Sequence, residues 1–122
     1  MEMNLHNITD NQFTSYTKES VTVNKKEYKS NIIVTNNGVF DFNIAKIEDI
    51  KLEDLSVVFD FNPDLVIFGT GDKVIYPNMK IFQIFYNKSI GVEVMSIHAL
   101  CRTYNFLVSE GRKIACILFL KS

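Results

Sequence analysis

The 122-residue sequence has few cysteines and almost no net charge, and each shortage argues against a class of protein. The two cysteines, Cys101 and Cys116, have no Cys-x-x-Cys spacing. A disulfide framework is therefore not indicated, and a reducing compartment is expected. The formal net charge is −1, whereas a nucleic-acid-binding domain usually carries a basic excess. We therefore expect a cytoplasmic protein that does not bind nucleic acid.

Long apolar segments and sets of metal ligands are also missing. The first residues, MEMNLHNITD, have neither the basic start nor the apolar stretch of a secretory signal. No apolar run approaches the about 20 residues that span a bilayer, so we expect no transmembrane segment and a cytoplasmic or membrane-peripheral location. Two distant histidines and two isolated cysteines do not supply the ligands of a metal site. We predict no metal, no cofactor and no catalytic residue.

What the sequence does have is the material for one packed domain. Apolar residues make up 47% of the chain, which is typical of globular proteins. Residues 1–15 are polar and are predicted to form a flexible arm or an edge segment. Residues 16–122 are predicted to form a single domain, because domains most often contain about 100–150 residues.

The order of apolar patterns predicts an α/β fold. Alternation around a polar break predicts a β-hairpin between residues 21 and 35, and Asn36-Asn37-Gly38 is a strong turn signal. The second half alternates predicted strands and helices. Its segments are a helix from Leu52 to Asn62, a strand at 65–68, a helix at 79–88, a strand at 91–95, a helix at 96–111 and a strand at 114–120.

The predicted helix 96–111 has one apolar stripe and one polar side. The stripe contains Ile97, Leu100, Cys101, Tyr104, Leu107 and Val108. His98 and Cys101 are three residues apart, as in a possible catalytic pair. Because Cys101 falls on the apolar stripe, we interpret it as a buried packing residue instead. Arg102 and Asn105 lie off the stripe and are available for polar contacts.

Several segments resemble the Mth-nine-three-eight domain family. They are FGTG at 68–71, GVEVM at 91–95, CRTYNFLVSEGR at 101–112 and the closing apolar strand. The sequence differs from the family at Ser96 and Ile97, where Asp-Thr is usual, and in having no tryptophan. The resemblance implies a three-layer fold with a mixed central β-sheet, an N-terminal hairpin layer and packed helices. It also implies no established catalysis and a branch that assists assembly of respiratory complex I.

Polar residues at the ends of the predicted strands suggest a ligand or anion pocket, because crevices at the carboxyl ends of strands are the usual ligand location. The predicted lining consists of Gly69, Thr70, Gly71, Glu93, Arg102 and Asn105. The glycines serve equally well in a tight turn. Similarly, Glu93, Glu110 and Arg112 could form a functional cluster or a structural salt-bridge network. We favour the structural role for Glu110 and Arg112.

The predicted helix 79–88 is apolar on more than one side, which suggests a partner-binding surface. Ile81, Ile84 and Tyr86 form the second apolar side. This side is either an interface or is covered by the N-terminal arm. We therefore expect a protein-interaction factor, with respiratory-complex subunits or assembly factors as partners and a possible homo-oligomer. The alternative is a small-molecule-binding protein or an unrecognised enzyme that uses the strand-end pocket.

Overall fold

The fold was analysed in a computed structural model that describes residues 10–120. Its strands are β1 (Phe13–Tyr16), β2 (Val21–Val23), β3 (Lys26–Tyr28), β4 (Ile32–Thr35), β5 (Gly38–Asp41), β6 (Leu65–Thr70), β7 (Gly91–Met95) and β8 (Ile114–Phe119). Its α-helices are α1 (Ser56–Phe61), α2 (Met79–Asn87) and α3 (Ile97–Ser109). Two 3-10 helical turns, Ile47–Asp49 and Leu52–Leu55, precede α1.

A mixed five-stranded sheet forms the centre of the fold, in the order β5-β4-β8-β6-β7. Strand β6 pairs in parallel with β7 and with β8, whereas β4 pairs antiparallel with β8 and β5. The two parallel pairs arise because α2 and α3 return the chain to the same end of the sheet. The prediction of an α/β fold around a mixed sheet is confirmed.

The N-terminal strands form a second sheet in the order β1-β2-β3. Strands β2 and β3 make a hairpin, and its turn residues Asn24 and Lys25 have φ angles of 52° and 71°. Two consecutive left-handed residues match the right-handed twist of the strands. The hairpin predicted over residues 21–35 is too long, because Ile32–Thr35 pairs with β8 in the central sheet. A second hairpin joins β4 to β5 through Asn36 and Asn37, as the turn signal predicted. The small sheet contacts α3 and not the helices on the far side of the central sheet.

Apolar side chains divide into two cores, one on each face of the central sheet. Alternate residues of β8 serve each core: Ile114, Cys116 and Leu118 face α3, whereas Ala115, Ile117 and Phe119 face α1 and α2. The central strands are therefore apolar at consecutive positions, as is expected for strands that are covered on both faces. The layers are the small sheet with α3, the central sheet, and α1 with α2.

Polar caps and left-handed residues mark the ends of the helices. Ser96 Oγ accepts a hydrogen bond from the Ala99 amide at 3.3 Å and caps α3. Gly111, with φ of 84°, follows the C-terminal end of α3 in the left-handed conformation. At α2, Asn78 is the capping residue, because its Oδ1 accepts from the Lys80 amide at 2.8 Å. Asn62, with φ of 54°, ends α1.

Candidate functional site

The Gly69–Gly71 segment joins β6 to the loop before α2 and is closely packed. A Cβ atom at Gly69 would lie 2.6 Å from Leu100 Cδ1, so glycine allows α3 to approach β6. Thr70 is buried, and its hydroxyl donates to the Lys73 carbonyl and accepts from the Ile75 amide at 3.1 Å. The Gly71 carbonyl accepts from the Ile97 amide at 2.9 Å. These contacts hold the loop and the start of α3 together.

Asn105 contacts the small sheet and not the Gly69–Gly71 segment. Its Oδ1 accepts from the Phe13 amide at 2.9 Å, and its Nδ2 donates to the Phe13 carbonyl at 2.8 Å. The preceding residue, Tyr104, donates its hydroxyl to the Asn11 and Thr35 carbonyls at 3.0 and 3.2 Å. Asn105 therefore holds β1 on α3, and this role was not predicted from the sequence.

One of the six predicted pocket residues is engaged in another contact. Asn105 is hydrogen-bonded to Phe13 of β1. Glu93 is exposed on β7 at the edge of the sheet, and Arg102 is exposed on α3. A pocket that Glu93 and Arg102 share with the Gly69–Gly71 turn stays a prediction. Helix periodicity shows only which residues leave the apolar stripe, and not which neighbour they meet.

Thr70, a member of that set, lines a cavity on the face of the central sheet opposite to α3. The cavity has a volume of about 440 Å³ and lies at the ends of β6 and β8. Its lining residues are Ala45, Lys46, Ile47, Glu48, Thr70, Ile75 and Phe119. Most of the segment around 45–48 carried no motif in the sequence, so sequence reasoning did not find this cavity.

The two cysteine thiols are buried and unsuited to nucleophilic chemistry. Cys101 and Cys116 are both fully buried in the core beneath α3. Burial raises the pKa of the Cys101 thiol, and burial together with the neighbouring Cys101 raises the pKa of Cys116 well above its ordinary value. A reactive cysteine needs exposure and a lowered pKa. His98 is exposed and places its ring against Tyr16, with ring centres 5.1 Å apart.

Arg112 and Glu110 do not form the predicted network with each other. Arg112 Nε lies 3.8 Å from Asp64 Oδ2, between side chains that are about half exposed. Glu110 is exposed at the C-terminal end of α3. The Arg112 pair joins the end of α3 to the start of β6, and an exposed ion pair of this kind contributes little to stability.

Helix α2 carries an exposed apolar surface, which includes Tyr86 but not Ile81 of the predicted positions. Ile81 is only 3% exposed and belongs to the core, and Ile84 packs against the same core. Ile81 is therefore excluded from any partner surface. Tyr86 is 82% exposed, as an interface residue should be. Both sides of α2 are apolar, and the sequence pattern alone did not show which side is buried.

An apolar stripe on one side of α2 is formed by Met79, Phe82 and Tyr86, and Tyr76 in the preceding loop lies beside Phe82. We call these four residues the α2 stripe. Tyr76 is 65% exposed and Met79 is 73% exposed. The half-buried Phe82 ring lies with its centre 6.4 Å from that of Tyr76. Val74 and Ile75, which are also exposed, extend the stripe into the preceding loop.

The part of the N-terminal arm that the structure describes does not cover the α2 stripe. Strand β1 is the edge strand of the small sheet and contacts α3, on the opposite face of the central sheet from α2. Residues 13–15 of the predicted arm lie in this edge strand, and residues 1–9 fall outside the described residues. Within residues 10–120, the stripe faces solvent.

The described residues also bear on metal binding and on membrane spanning. In residues 10–120, no three side chains of the histidine, cysteine, aspartate and glutamate types are grouped so that they could hold a metal ion. None of the helices in the same range is long and apolar enough to span a bilayer.

Comparison with known proteins identifies the family. The chain matches the family described as protein of unknown function (DUF498/DUF598) over residues 13–119. A 13 kDa major membrane protein of Francisella tularensis subsp. holarctica (strain LVS) is 31% identical over 87% of this chain and 88% of that protein. NADH dehydrogenase (ubiquinone) 1 alpha subcomplex assembly factor 3 of Xenopus tropicalis is 30% identical over 85% of this chain. The match covers 58% of that relative, so the chain spans little more than half of its length.

Solved structures have the same fold. A crystal structure of a Bordetella parapertussis protein has a TM-score of 0.81 at 26% identity and covers 90% of this chain and 95% of that one. A Bordetella pertussis protein described as an Mth-nine-three-eight-like domain has a TM-score of 0.72 at 23% identity, covering 88% and 84% of the two chains. The resemblance predicted from FGTG, GVEVM and CRTYNFLVSEGR is confirmed, and the chain belongs to the DUF498/DUF598 family of Mth-nine-three-eight-like proteins.

Proposed function

We propose that this protein is a non-catalytic interaction factor that assists assembly of respiratory complex I or a related membrane complex. The observation that carries the proposal is the α2 stripe. Met79 and Tyr86 on one side of α2, and Tyr76 in the loop before it, are large apolar side chains that are each more than half exposed. Contiguous exposed apolar surface on a folded domain usually marks an association site.

The kind of partner is suggested by the relatives. Proteins from several animals that are 26–33% identical to this chain carry the name of a complex I assembly factor. The aromatic and methionine side chains of the α2 stripe are of the types that are enriched in protein interfaces. Methionine in particular adapts to partners of irregular shape. A role without catalysis agrees with the burial of both thiols, Cys101 and Cys116.

Affinity capture from native cells tests the proposal. A tagged wild-type chain should recover respiratory-chain subunits or their assembly proteins under conditions that keep complexes intact. The double variant Met79→Ser and Tyr86→Ser should lose most of that recovery, because both side chains are exposed and neither supports the core. Phe106→Ser is the matched control, since Phe106 is 62% exposed on α3, away from the stripe. The proposal fails if the wild-type chain recovers no such protein, or if all variants recover it equally.

A second candidate function, binding of a small apolar molecule, rests on the cavity at Thr70. Its volume of about 440 Å³ is within the range of ligand pockets. A fragment screen by protein-observed NMR would test this function, with shifts expected at Ile47, Ile75 and Phe119. An absence of shifts at these residues would remove the candidate.

A further inference from the structure

The open edge of the central sheet lies beside the α2 stripe. Strand β7 is the last strand of the order β5-β4-β8-β6-β7, so among the described strands it has a neighbour on one side only. Helix α2 contacts β7, whereas α1 contacts β4 near the other end of the sheet. The α2 stripe and the β7 edge therefore belong to the same end of the molecule.

The side of α2 that carries Tyr86 is turned away from α1. Phe85 places its ring centre 5.3 Å from that of Phe59 in α1, and Lys88, just after α2, places its ammonium group 4.9 Å from the same ring centre. Tyr86 lies about 100° around the helix from Phe85, because each residue turns the helix by about 100°. Tyr86 is therefore exposed beside the α1 contact and not in it.

The register of β7 shows which backbone groups are unpaired at that edge. The Gly91 amide donates to the Asp64 carbonyl at 3.1 Å, so the backbone N–H and C=O groups of Gly91 point toward β6. In a parallel pair, every second residue bonds to the same neighbour. The groups of Glu93 and Met95 therefore also point toward β6. The N–H and C=O groups of Val92 and Val94 point outward, where they can pair with another strand.

The side chains of β7 specify the chemistry of that other strand. Val92 and Val94 are half-buried and pack against the core on the α2 side. Glu93 pairs laterally with Ile67, which belongs to the core beneath α3, so Glu93 projects to the opposite face and is exposed. An added strand would thus meet an apolar surface on one face and a single carboxylate on the other.

A second copy of this chain does not fit the edge well in the register of full overlap. Full antiparallel overlap of two β7 strands, with Gly91 opposite Met95, places Glu93 directly opposite the second copy's Glu93. Like charges directly opposite each other destabilise a strand pair. A lysine or arginine opposite Glu93 would instead form a favourable pair, so the charge on β7 favours a different chain.

We infer that the β7 edge accepts an extended segment of a partner protein as a sixth strand. The segment carries a lysine or arginine opposite Glu93, between two apolar residues that face Val92 and Val94. Main-chain hydrogen bonds would supply affinity and the alternating side chains would supply specificity. The inference rests on the proposed function, because it assigns the partner's mode of attachment at the same end of the molecule.

A peptide titration tests the inference on the full chain. The probe is a blocked heptapeptide, Thr-Thr-Val-Lys-Val-Thr-Thr, and its matched counterpart has glutamate in place of lysine. Added to 15N-labelled protein, the lysine peptide should shift the amide resonances of Val92 and Val94. It should bind at least about threefold more tightly than the glutamate peptide, because opposite charges that face each other across two strands stabilise the pair, whereas like charges destabilise it.

Charge reversal supplies the matched variants. Glu93→Lys should reverse the preference between the two peptides. Glu27→Lys should leave it unchanged, because Glu27 is also exposed in the middle of an edge strand, but in the small sheet. The inference is overturned if neither peptide shifts Val92 and Val94 at millimolar concentration, or if Glu93→Lys keeps the wild-type preference. Protection of both amides in concentrated protein without peptide would indicate a second copy and would also overturn it.

The two proposals fail in distinguishable ways. If the wild-type chain captures respiratory-chain proteins but neither peptide binds, the edge inference is wrong and the function assigned to the α2 stripe stands. If the lysine peptide binds at Val92 and Val94 but no respiratory-chain protein is captured, the proposed function is wrong and the edge is a strand-binding site for another class of partner.

Discussion

Replacing Asn105 with alanine tests the attachment of the small sheet to α3. The Asn105 side chain makes two hydrogen bonds with the backbone of Phe13, at 2.9 and 2.8 Å. Each such bond contributes about 0.5–1.5 kcal/mol net. Alanine recovers up to about 0.7 kcal/mol through its higher helix propensity. The balance is a loss of about 1.5 kcal/mol in the free energy of unfolding.

Urea unfolding measures that loss directly, since the transition midpoint falls while the slope stays constant if only stability changes. Arg102→Ala is the control, because Arg102 is exposed on the same helix and is also replaced by alanine. Exposed substitutions away from special features usually change stability by less than about 0.5 kcal/mol. Equal stabilities of the two variants would refute the role of Asn105 in holding β1.

Four further predictions concern the core beneath α3. Tyr104→Phe should cost about 1–2 kcal/mol in urea unfolding, because it keeps the ring and removes a buried hydroxyl that donates to two backbone carbonyls. Gly69→Ala should cost about 1–3 kcal/mol in the same assay, since its Cβ would lie 2.6 Å from Leu100 Cδ1. Equal stability to the wild type would show that Leu100 moves aside freely. Cys101 and Cys116 should not react with a thiol reagent until the chain unfolds, because burial raises the pKa of both thiols. The raised pKa values also predict that stability is fully present below the ordinary thiol pKa of about 8.5 and declines as pH rises above it, which urea midpoints at pH 7 and pH 10 would check.

The elements of the second half were predictable because local signals and packing agree. Ser96 precedes the start of α3 and Gly111 follows its end. The continuous apolar run of β6 reflects the burial of this strand on both faces. These signals lie within a few residues of the structure that they specify. The parallel pairing of β6 with β7 and β8 then follows from the alternation of strands and helices.

The contacts of polar residues on α3 were not predictable in the same way. Asn105 and Phe13 are separated by 92 residues, and the short β1 segment FTSY has little apolar alternation. A residue that leaves an apolar stripe can face solvent, a ligand or another strand, and helix periodicity does not distinguish these environments. The same reason explains the error at Ile81, because both sides of α2 are apolar and only packing decides which side is buried.

The central claim is that the α2 stripe contacts an assembly partner, and site-specific photo-cross-linking tests it most directly. A photoreactive phenylalanine analogue is placed at Tyr86, which is 82% exposed, or at Phe106, which is 62% exposed on α3. After irradiation of native cells, the Tyr86 position should yield an adduct with a respiratory-chain subunit or assembly protein identified by mass spectrometry, and the Phe106 position should not. Adducts with the same respiratory proteins from Phe106 alone, or none from Tyr86, would contradict the claim.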